Sequence, residues 1–221
     1  MDQNHQLVVR DIKKSFNKNG KTTKVLDGVS LEVFQNEFLV ILGPGRCGKS
    51  TLLNIFADIL KPDSGSLEFT KALSDDLNPE IGMVYQRISL MPWLTVMKNV
   101  EFIMNLQKWN KKKRDQRTYE LLKAVGLEDR IHSRPSKLSG GQQQRVAVAR
   151  ALASKPKFVL ADEPTANLDS KSTETLLDIM EQLNREEGIT FIFSTHDARV
   201  VKKARRVVTL EDGKVISDDR K

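Results

Sequence analysis

Apolar residues along this chain follow two spacings, one typical of strands and one typical of helices. Apolar and polar residues alternate over Leu7–Phe16 and Lys24–Val33, which predicts two strands, and Asn17–Gly20 between them is typical of a turn. The apolar run Glu37–Leu42 predicts a short, buried parallel strand. The first forty residues are therefore expected to form an antiparallel pair and to begin a parallel sheet.

Helical spacing begins after this strand and returns in the middle of the chain. Ser50–Leu60 predicts a helix that ends before Pro62 and Gly65, and Ile81–Gln86 predicts another strand. From about Trp93 to Ser136 the apolar spacing is helical. We interpret residues 91–136 as a helical subdomain inserted into an α/β core of residues 1–90 and 137–221.

Two helices are predicted inside the inserted subdomain, over Thr95–Lys108 and Lys112–Val125, with Gly126 as a helix stop. After the inserted subdomain, helices and strands alternate along the chain, which favours a parallel sheet within a single α/β domain. The predicted elements are a helix from Gly140 to about Ser154, strand Phe158–Ala161, helix Lys171–Glu187, strand Thr190–Thr195, and a hairpin of Val207–Leu210 and Lys214–Ile216 about the turn Glu211–Gly213.

Composition is that of a soluble globular protein, with 39% hydrophobic and 29% charged residues. The apolar run Phe38–Leu42 is far too short to cross a bilayer, and the polar N-terminus does not resemble a signal peptide. The single cysteine, Cys47, excludes an internal disulfide and suits a reducing cytosol. We therefore expect a cytoplasmic protein.

The chain is basic, with a formal net charge of +7. Two clusters contribute, one at Lys108–Arg114 and one at Lys202–Arg206. Solvated helix faces explain such clusters, and proximity to anionic lipid is an alternative. Nucleic-acid binding is not expected, because aromatic residues make up only 6% of the chain and no recognition motif accompanies the charge.

A glycine-rich loop follows the third predicted strand and fits the pattern of a phosphate-binding loop. Backbone amides of such a loop and of the next helix bind polyphosphate oxygens, Lys49 adds a charge near the β- and γ-phosphates, and the Ser50 hydroxyl is placed to bind Mg²⁺. The predicted ATP-binding residues of this loop are Gly43, Pro44, Gly45, Arg46, Cys47, Gly48, Lys49, Ser50 and Thr51.

Two adjacent carboxylates, Asp162 and Glu163, follow the apolar strand Phe158–Ala161. Their side chains leave a strand on opposite sides, so the two groups are able to do different work. Between this pair and the loop lies the signature segment, Leu138–Arg145, with the sequence LSGGQQQR. In this order the three motifs resemble those of the ATP-binding-cassette (ABC) ATPases, and the resemblance covers about Leu7 to Ile216.

The resemblance implies a P-loop NTPase core and assigns roles to single residues. Asp162 holds Mg²⁺ through water, and Glu163 is the general base that polarises the attacking water. The signature residues Ser139, Gly140, Gly141 and Gln142 close on the ATP bound by the loop of a second copy. The implied assembly is a head-to-tail homodimer around two Mg-ATP, attached to a separate transmembrane permease on the inner face of the cell membrane.

Four smaller elements also resemble family features. Gln86 corresponds to the glutamine that contacts Mg²⁺, and His196 to the switch histidine that contacts the γ-phosphate. Phe16 corresponds to the aromatic residue that stacks on adenine, with packing in the core as the alternative. Asp169 ends the D-loop, Ala166–Asp169, which runs along the dimer interface in the family.

Two residues depart from the family pattern. Arg46 stands where the loop usually has a glycine, and Asp58 stands where many members have one. The usual glycine suggests a backbone with positive φ at Arg46. Arg46 therefore either strains the loop or compensates by contacting a phosphate or a carboxylate across the dimer.

The subfamily stays open, because the two halves of the chain favour different ones. The first half resembles importer ATPases for nitrate, sulfonate and taurine, and the second half resembles the lipoprotein-release and macrolide-exporter type, which we favour. A soluble ABC ATPase acting on DNA or ribosomes and a module that binds ATP with little turnover are the alternatives to a transporter motor.

Overall fold

The computed structural model describes residues 5–18, 20–69 and 81–221. The strands are β1 (His5–Lys18), β2 (Lys21–Phe34), β3 (Phe38–Leu42), β4 (Ser64–Phe69), β5 (Ile81–Val84), β6 (Phe158–Asp162), β7 (Thr190–Thr195), β8 (Arg206–Glu211) and β9 (Lys214–Arg220). The helices are α1 (Lys49–Phe56), α2 (Val96–Leu106), α3 (Lys111–Ala124), α4 (Gly140–Leu152), α5 (Ser170–Glu187) and α6 (Ala198–Lys203).

A six-stranded sheet in the order β5-β6-β7-β3-β8-β9 forms the centre of the fold. Only the last pair, β8 and β9, is antiparallel. Successive residues of β3 face opposite sides, so Phe38 packs with the helices α4 and α5 while Leu39 packs with α1 and the N-terminal strands. Because both faces are covered, the buried strands consist of continuous apolar runs. The predicted α/β class with a parallel sheet is confirmed.

A second sheet of three antiparallel strands, in the order β2-β1-β4, packs over one face of the first. The register of β1 and β2 shifts between the pairs Lys14–Leu26 and Ser15–Lys24, which leaves Val25 as an extra residue on β2. Such a bulge bends a strand and redirects its side chains. This sheet is the predicted antiparallel β subdomain, to which β4 adds a strand that the sequence did not predict.

The predicted helical subdomain contains α2 and α3, followed by single 3₁₀ turns at Glu128–Arg130 and Pro135–Lys137. Arg117 ties α3 to the core, because its guanidinium pairs with Glu187 of α5 at 2.6 Å and donates to the carbonyl of Leu152 at 3.1 Å. The division at residues 91 and 136 stays a prediction. No helix in the described ranges is both long enough and apolar enough to span a membrane.

The remaining differences concern the ends of elements and one short helix. The first helix ends at Phe56, earlier than the predicted Leu60, and Gly65 lies inside β4 rather than marking a helix end. The six-residue helix α6 was not predicted. The predicted turn Asn17–Gly20 includes Asn19, which lies outside the described residues, as does the N-terminal segment 1–4.

Candidate active site

The glycine-rich loop connects the carboxyl end of β3 to α1. Gly48 caps this helix with a φ of 109°, a left-handed conformation that side-chain-bearing residues rarely adopt. Lys49 follows and is only 5% exposed. Its ammonium donates hydrogen bonds to the carbonyl oxygens of Gly43 at 2.8 Å and Pro44 at 3.0 Å. The loop thus folds around the lysine side chain and fixes its direction.

A cavity of about 250 Å³ adjoins the loop and is lined by Val25, Arg46, Gly48, Lys49, Ser50 and Thr51. Val25 is the extra residue of the bulge in β2, so the irregular register gives the cavity one apolar wall. Phe16 in β1 is 42% exposed, which shows that the core-packing alternative for this residue is wrong. The Lys14 ammonium lies 5.7 Å from the centre of the Phe16 ring.

Both departures from the family pattern fall at strained backbone positions. Arg46 has a φ of 70° and Asp58 a φ of 57°, in the left-handed region that glycine adopts freely. The expectation of a positive φ at Arg46 is confirmed. A side chain in this region costs roughly 1–2 kcal/mol, so the loop carries strain at a residue that lines the cavity.

Asp162 lies at the end of β6, beside the first turn of α1. The Ser50 hydroxyl donates to Asp162 Oδ1 at 2.8 Å, and the hydroxyl of Ser194 in β7 donates to the same oxygen. This places two of the three predicted magnesium ligands in direct contact. Ser194 was missed, since only its position two residues before His196 distinguishes it in the sequence.

Glu163 lies where β6, β7 and α1 meet. Its backbone is strained, with a φ of 46°, and its amide donates to the Ser194 carbonyl at 2.9 Å. Its Oε1 atom lies 3.0 Å from Nδ1 of His196 and 3.6 Å from Nζ of Lys49. The carboxylate is 12% exposed and the imidazole 68%. Two of the four predicted catalytic residues, Lys49 and His196, therefore converge on a carboxylate oxygen of a third, Glu163.

The residue after the histidine holds the surrounding loops together. Asp197 caps α6 and accepts hydrogen bonds from Arg199, with the shortest guanidinium contact at 2.8 Å. It also accepts a bond from Thr165 at 3.1 Å. These bonds lower the pKa of Asp197 below its usual value, and the hydrogen bonds from the Arg199 side chain have the largest effect. Asp197 thus links the segment that follows Glu163 to the segment that carries His196.

Gln86, the fourth predicted catalytic residue, lies outside this cluster of contacts. Its main-chain carbonyl accepts a hydrogen bond from Asn167 of the D-loop at 3.2 Å. Its side chain is exposed and, within the described ranges, makes no hydrogen bond to Ser50 or Asp162. The structure therefore places Gln86 beside the D-loop and leaves its contact with magnesium a prediction.

The signature residues are bonded among themselves. Ser139 caps α4 by accepting from the amide of Gln142 at 3.3 Å, and the Gln142 side chain accepts from the Ser139 amide at 2.9 Å. Ser139 and Gly140 are exposed. No hydrogen bond or ion pair in the part of the chain that the structure describes joins them to Lys49 or Glu163. The chain thus presents a second helix N-terminus, apart from the glycine-rich loop.

Sequence comparisons agree with this geometry. Residues 26–166 match the family model for ABC transporters. The chain is 45% identical over 223 residues to the uncharacterized ABC transporter ATP-binding protein YvrO of Bacillus subtilis, covering 97% of each chain. It is 41% identical to the lipoprotein-releasing system ATP-binding protein LolD 1 of Caulobacter vibrioides, covering 96% of this chain and 94% of the relative.

Comparison of folds gives the same answer. The cassette MJ0796, solved as a dimer in a post-hydrolysis state with ADP and Pi, superposes with a TM-score of 0.85 at 36% identity. The match covers 97% of this chain and 98% of that cassette. With the sheet order, the loop around Lys49 and the Glu163 contacts, these likenesses establish that this chain belongs to the ABC transporter family as one of its ATP-binding, ATP-hydrolysing subunits.

Proposed function

We propose that the chain is the motor subunit of a membrane transporter and that two copies close head-to-tail around two molecules of Mg-ATP. The observation that carries the proposal is the convergence of Lys49, Ser50, Asp162, Glu163 and His196 at one edge of the sheet. These side chains come from three elements, and each approaches another within 3.6 Å. Side chains so arranged suit the transfer of a phosphoryl group to water.

ATP binding in this proposal uses the glycine-rich loop and the cavity beside it. Amides of the loop and of the first turn of α1 bind the phosphate oxygens, and Lys49 exchanges its bonds to two loop carbonyls for bonds to phosphate. The exposed ring of Phe16 stacks on adenine. The Lys14 ammonium, close to this ring, is already paired with Asp63 at 2.7 Å.

A magnesium ion fits the oxygen donors at this site. Mg²⁺ prefers oxygen ligands and keeps several waters, so it needs only one or two protein groups besides the phosphates. The Ser50 hydroxyl and the Asp162 carboxylate already touch at 2.8 Å, and Ser194 orients that carboxylate. Gln86 is proposed as the third contact. The ion would neutralise developing charge on the phosphate oxygens.

Hydrolysis is proposed to begin at the Glu163 carboxylate. Glu163 accepts a proton from the attacking water, and its strained backbone is fixed by the bond to Ser194. His196 contacts Glu163 and is exposed enough to reach the γ-phosphate. Lys49 lies near both the proposed base and the phosphate, so it stabilises the negative charge that increases during the reaction.

The second half of each site is proposed to come from the partner copy. Ser139, Gly140 and Gly141 present a hydroxyl and backbone amides at a helix N-terminus, which is an anion-binding arrangement. Within the described residues, no hydrogen bond or ion pair joins them to the phosphate loop of their own chain. A head-to-tail pair would place them on the partner's γ-phosphate, and Asp169 would lie along the interface.

Mixing two inactive variants tests this arrangement. Lys49→Ala damages the nucleotide half, and Ser139→Arg damages the signature half. In a mixed dimer one site carries both defects and the other carries neither, so we expect the ATPase activity that each variant lacks to return in part on mixing. A Ser139→Arg variant with parental activity by itself would contradict the proposal.

A permease partner is proposed to bind the surface that carries Trp93, which places the chain on the cytoplasmic face of the membrane. Trp93 is 70% exposed, and exposed large apolar side chains often mark interfaces. Trp93→Ala is expected to leave the ATPase of the isolated chain and its melting temperature unchanged, while reducing co-purification with a co-expressed permease subunit. Unchanged co-purification would contradict this part of the proposal.

The cargo class is proposed to be a lipoprotein, a peptide or a drug, because the second half of the chain resembles the lipoprotein-release type and LolD 1 is 41% identical. An importer of nitrate- or sulfonate-type solutes is the alternative that the first half favours. A permease gene with a large periplasmic domain beside this one supports the first, and a solute-binding-protein gene the second. An ATPase assay with Glu163→Gln as the control decides the last alternative, because steady hydrolysis by the parent would exclude a module with little turnover.

A further inference from the structure

The starts of α4 and α5 approach each other more closely than side chains normally allow. A Cβ atom added to Gly141 would lie 2.8 Å from the Oγ atom of Ser172 and 2.9 Å from its Cβ atom. Real Cβ atoms do not approach other atoms so closely, so any side chain at residue 141 would force the helices apart. The adjacent Gly140 differs, because a Cβ atom there would meet nothing within 4 Å.

Ser172 also holds the D-loop on its other side. Its amide donates to Asp169 Oδ1 at 2.8 Å, and its hydroxyl donates to Asp169 Oδ2 at 2.7 Å. Asp169 is the N-cap of α5 and the last residue of the D-loop. Both bonds lower the pKa of Asp169 below its usual value, and the bond from the Ser172 backbone amide has the larger effect. The carboxylate therefore stays charged and keeps accepting both bonds.

We infer that Ser172 is a positioning residue that fixes the signature helix and the D-loop as one body within each chain. Its side chain sets the distance to Gly141, and its hydroxyl sets the position of Asp169. The inference rests on the proposed function and deepens it, because the signature residues are proposed to reach the partner's nucleotide and the D-loop is proposed to lie along the dimer interface. It gives Gly141 a second reason to lack a side chain, namely contact with Ser172 of the same chain.

The experiment is a double-mutant cycle in the full chain, in which Gly141→Ala is combined with either Ser172→Gly or Ser172→Ala. Ser172→Gly removes both atoms that the new methyl group would meet, whereas Ser172→Ala removes only the hydroxyl and keeps the Cβ atom at 2.9 Å. If spacing is the cause, only the glycine substitution restores ATP-driven dimerisation to the Gly141→Ala variant. All variants carry Glu163→Gln, so that ATP-driven dimers accumulate and light scattering measures their dissociation constant.

Gly141→Ala is expected to raise the dimer dissociation constant by about tenfold or more, while ATP binding to the monomer stays at the parental level. Adding Ser172→Gly should return the constant to within about threefold of the Ser172→Gly variant alone. Adding Ser172→Ala instead should leave the dimer dissociation constant at the raised level. Parental dimerisation of Gly141→Ala, or failure of Ser172→Gly to restore dimerisation, overturns the inference.

Thermal melting without nucleotide measures the same cycle independently of dimerisation. Gly141→Ala should lower the melting temperature of the parent but not that of the Ser172→Gly variant, and a drop of equal size in both overturns the inference. If the Glu163→Gln parent itself forms no dimer with ATP, the proposed function fails. The melting cycle still decides in that case whether Ser172 sets the spacing.

Discussion

The nucleotide half of the proposed composite site and its signature half are built in different ways, although each lies at a helix N-terminus. In the nucleotide half, Glu163 connects to Lys49 of α1 and His196 after β7. In the signature half, the side chains of Ser139 and Gln142 each accept a hydrogen bond from the other residue's amide, next to the exposed Gly140. The first half joins segments far apart in sequence, and the second is a local cap.

This difference separates catalysis from assembly. Strained residues occur in the nucleotide half, at Arg46 and Glu163, where the fold holds groups in place for chemistry. The capping box at Ser139 has ordinary backbone angles and stabilises its helix without any ligand. Damage to the first half should therefore affect turnover, and damage to the second should affect closure.

The largest expected effect is at the centre of the nucleotide half. Glu163→Gln removes the proposed general base, so turnover should fall by roughly 10²–10⁴-fold while ATP binding persists. Because hydrolysis would open the dimer, the variant should also accumulate as an ATP-bound dimer in gel filtration. Glu211→Gln, at the exposed end of β8, is the matched control. Parental turnover by Glu163→Gln would contradict the role.

The next effect tests the signature half without disturbing its cap. Aspartate is as good an N-cap as serine, so Ser139→Asp should leave the melting temperature nearly unchanged. Its negative charge would face the partner's γ-phosphate, and turnover should fall by about 10²-fold. Asn110→Asp, at the N-cap of α3, is the control with the same chemistry elsewhere. A variant that loses stability as well as turnover would argue for a purely structural role.

A smaller effect is expected at Arg46. Arg46→Gly relieves the left-handed strain and should tighten ATP binding by up to about tenfold, which equals about 1.4 kcal/mol. Asp58→Gly relieves similar strain outside the cavity, so it should raise stability and leave ATP affinity unchanged. Calorimetric titration with Mg-ATP compares the two. Weaker binding by Arg46→Gly would show instead that the guanidinium contacts the nucleotide.

The smallest effect concerns Asp197, which joins loops within the nucleotide half. Its pKa is lowered in the folded chain by the bonds from Arg199, so its contribution is present above the unfolded-state pKa and is lost as the pH falls through the folded-state pKa. Asp197→Asn should therefore cost about 1 kcal/mol of stability near neutral pH, and progressively less as the pH falls below the unfolded-state pKa of the carboxyl group. A difference in melting temperature that does not change with pH would contradict this.

Sequence patterns predicted most of the fold because buried parallel strands are continuous apolar runs and the helices are amphipathic. The exceptions are physically understandable. The strand β4 has no fully buried residue and contains Gly65, so neither its hydrophobicity nor its composition identifies it. The helix α6 has only six residues, too few for helical spacing to be recognised.

The candidate site divides in the same way. Contiguous motifs identified Lys49, Ser50, Asp162 and Glu163, because phosphate binding requires particular residues at fixed spacing. The contacts of Ser194 and the positive φ of Glu163 depend on how β6 and β7 pair, which no local pattern contains. Likewise, the contact of Gly141 with its own chain follows from helix packing alone.

The position of β3 in the sheet has a consequence for biosynthesis. This strand leads into the phosphate loop, yet its two neighbours are among the last to be translated, since Phe38 pairs with Phe191 and Leu39 pairs with Arg206. On the ribosome, β1 and β2 are able to pair early, whereas β3 emerges as an apolar segment without neighbours until most of the chain has followed. Strand pairing between residues far apart in sequence is slow, and an apolar strand that stays unpaired during this time is able to bind chaperones or aggregate.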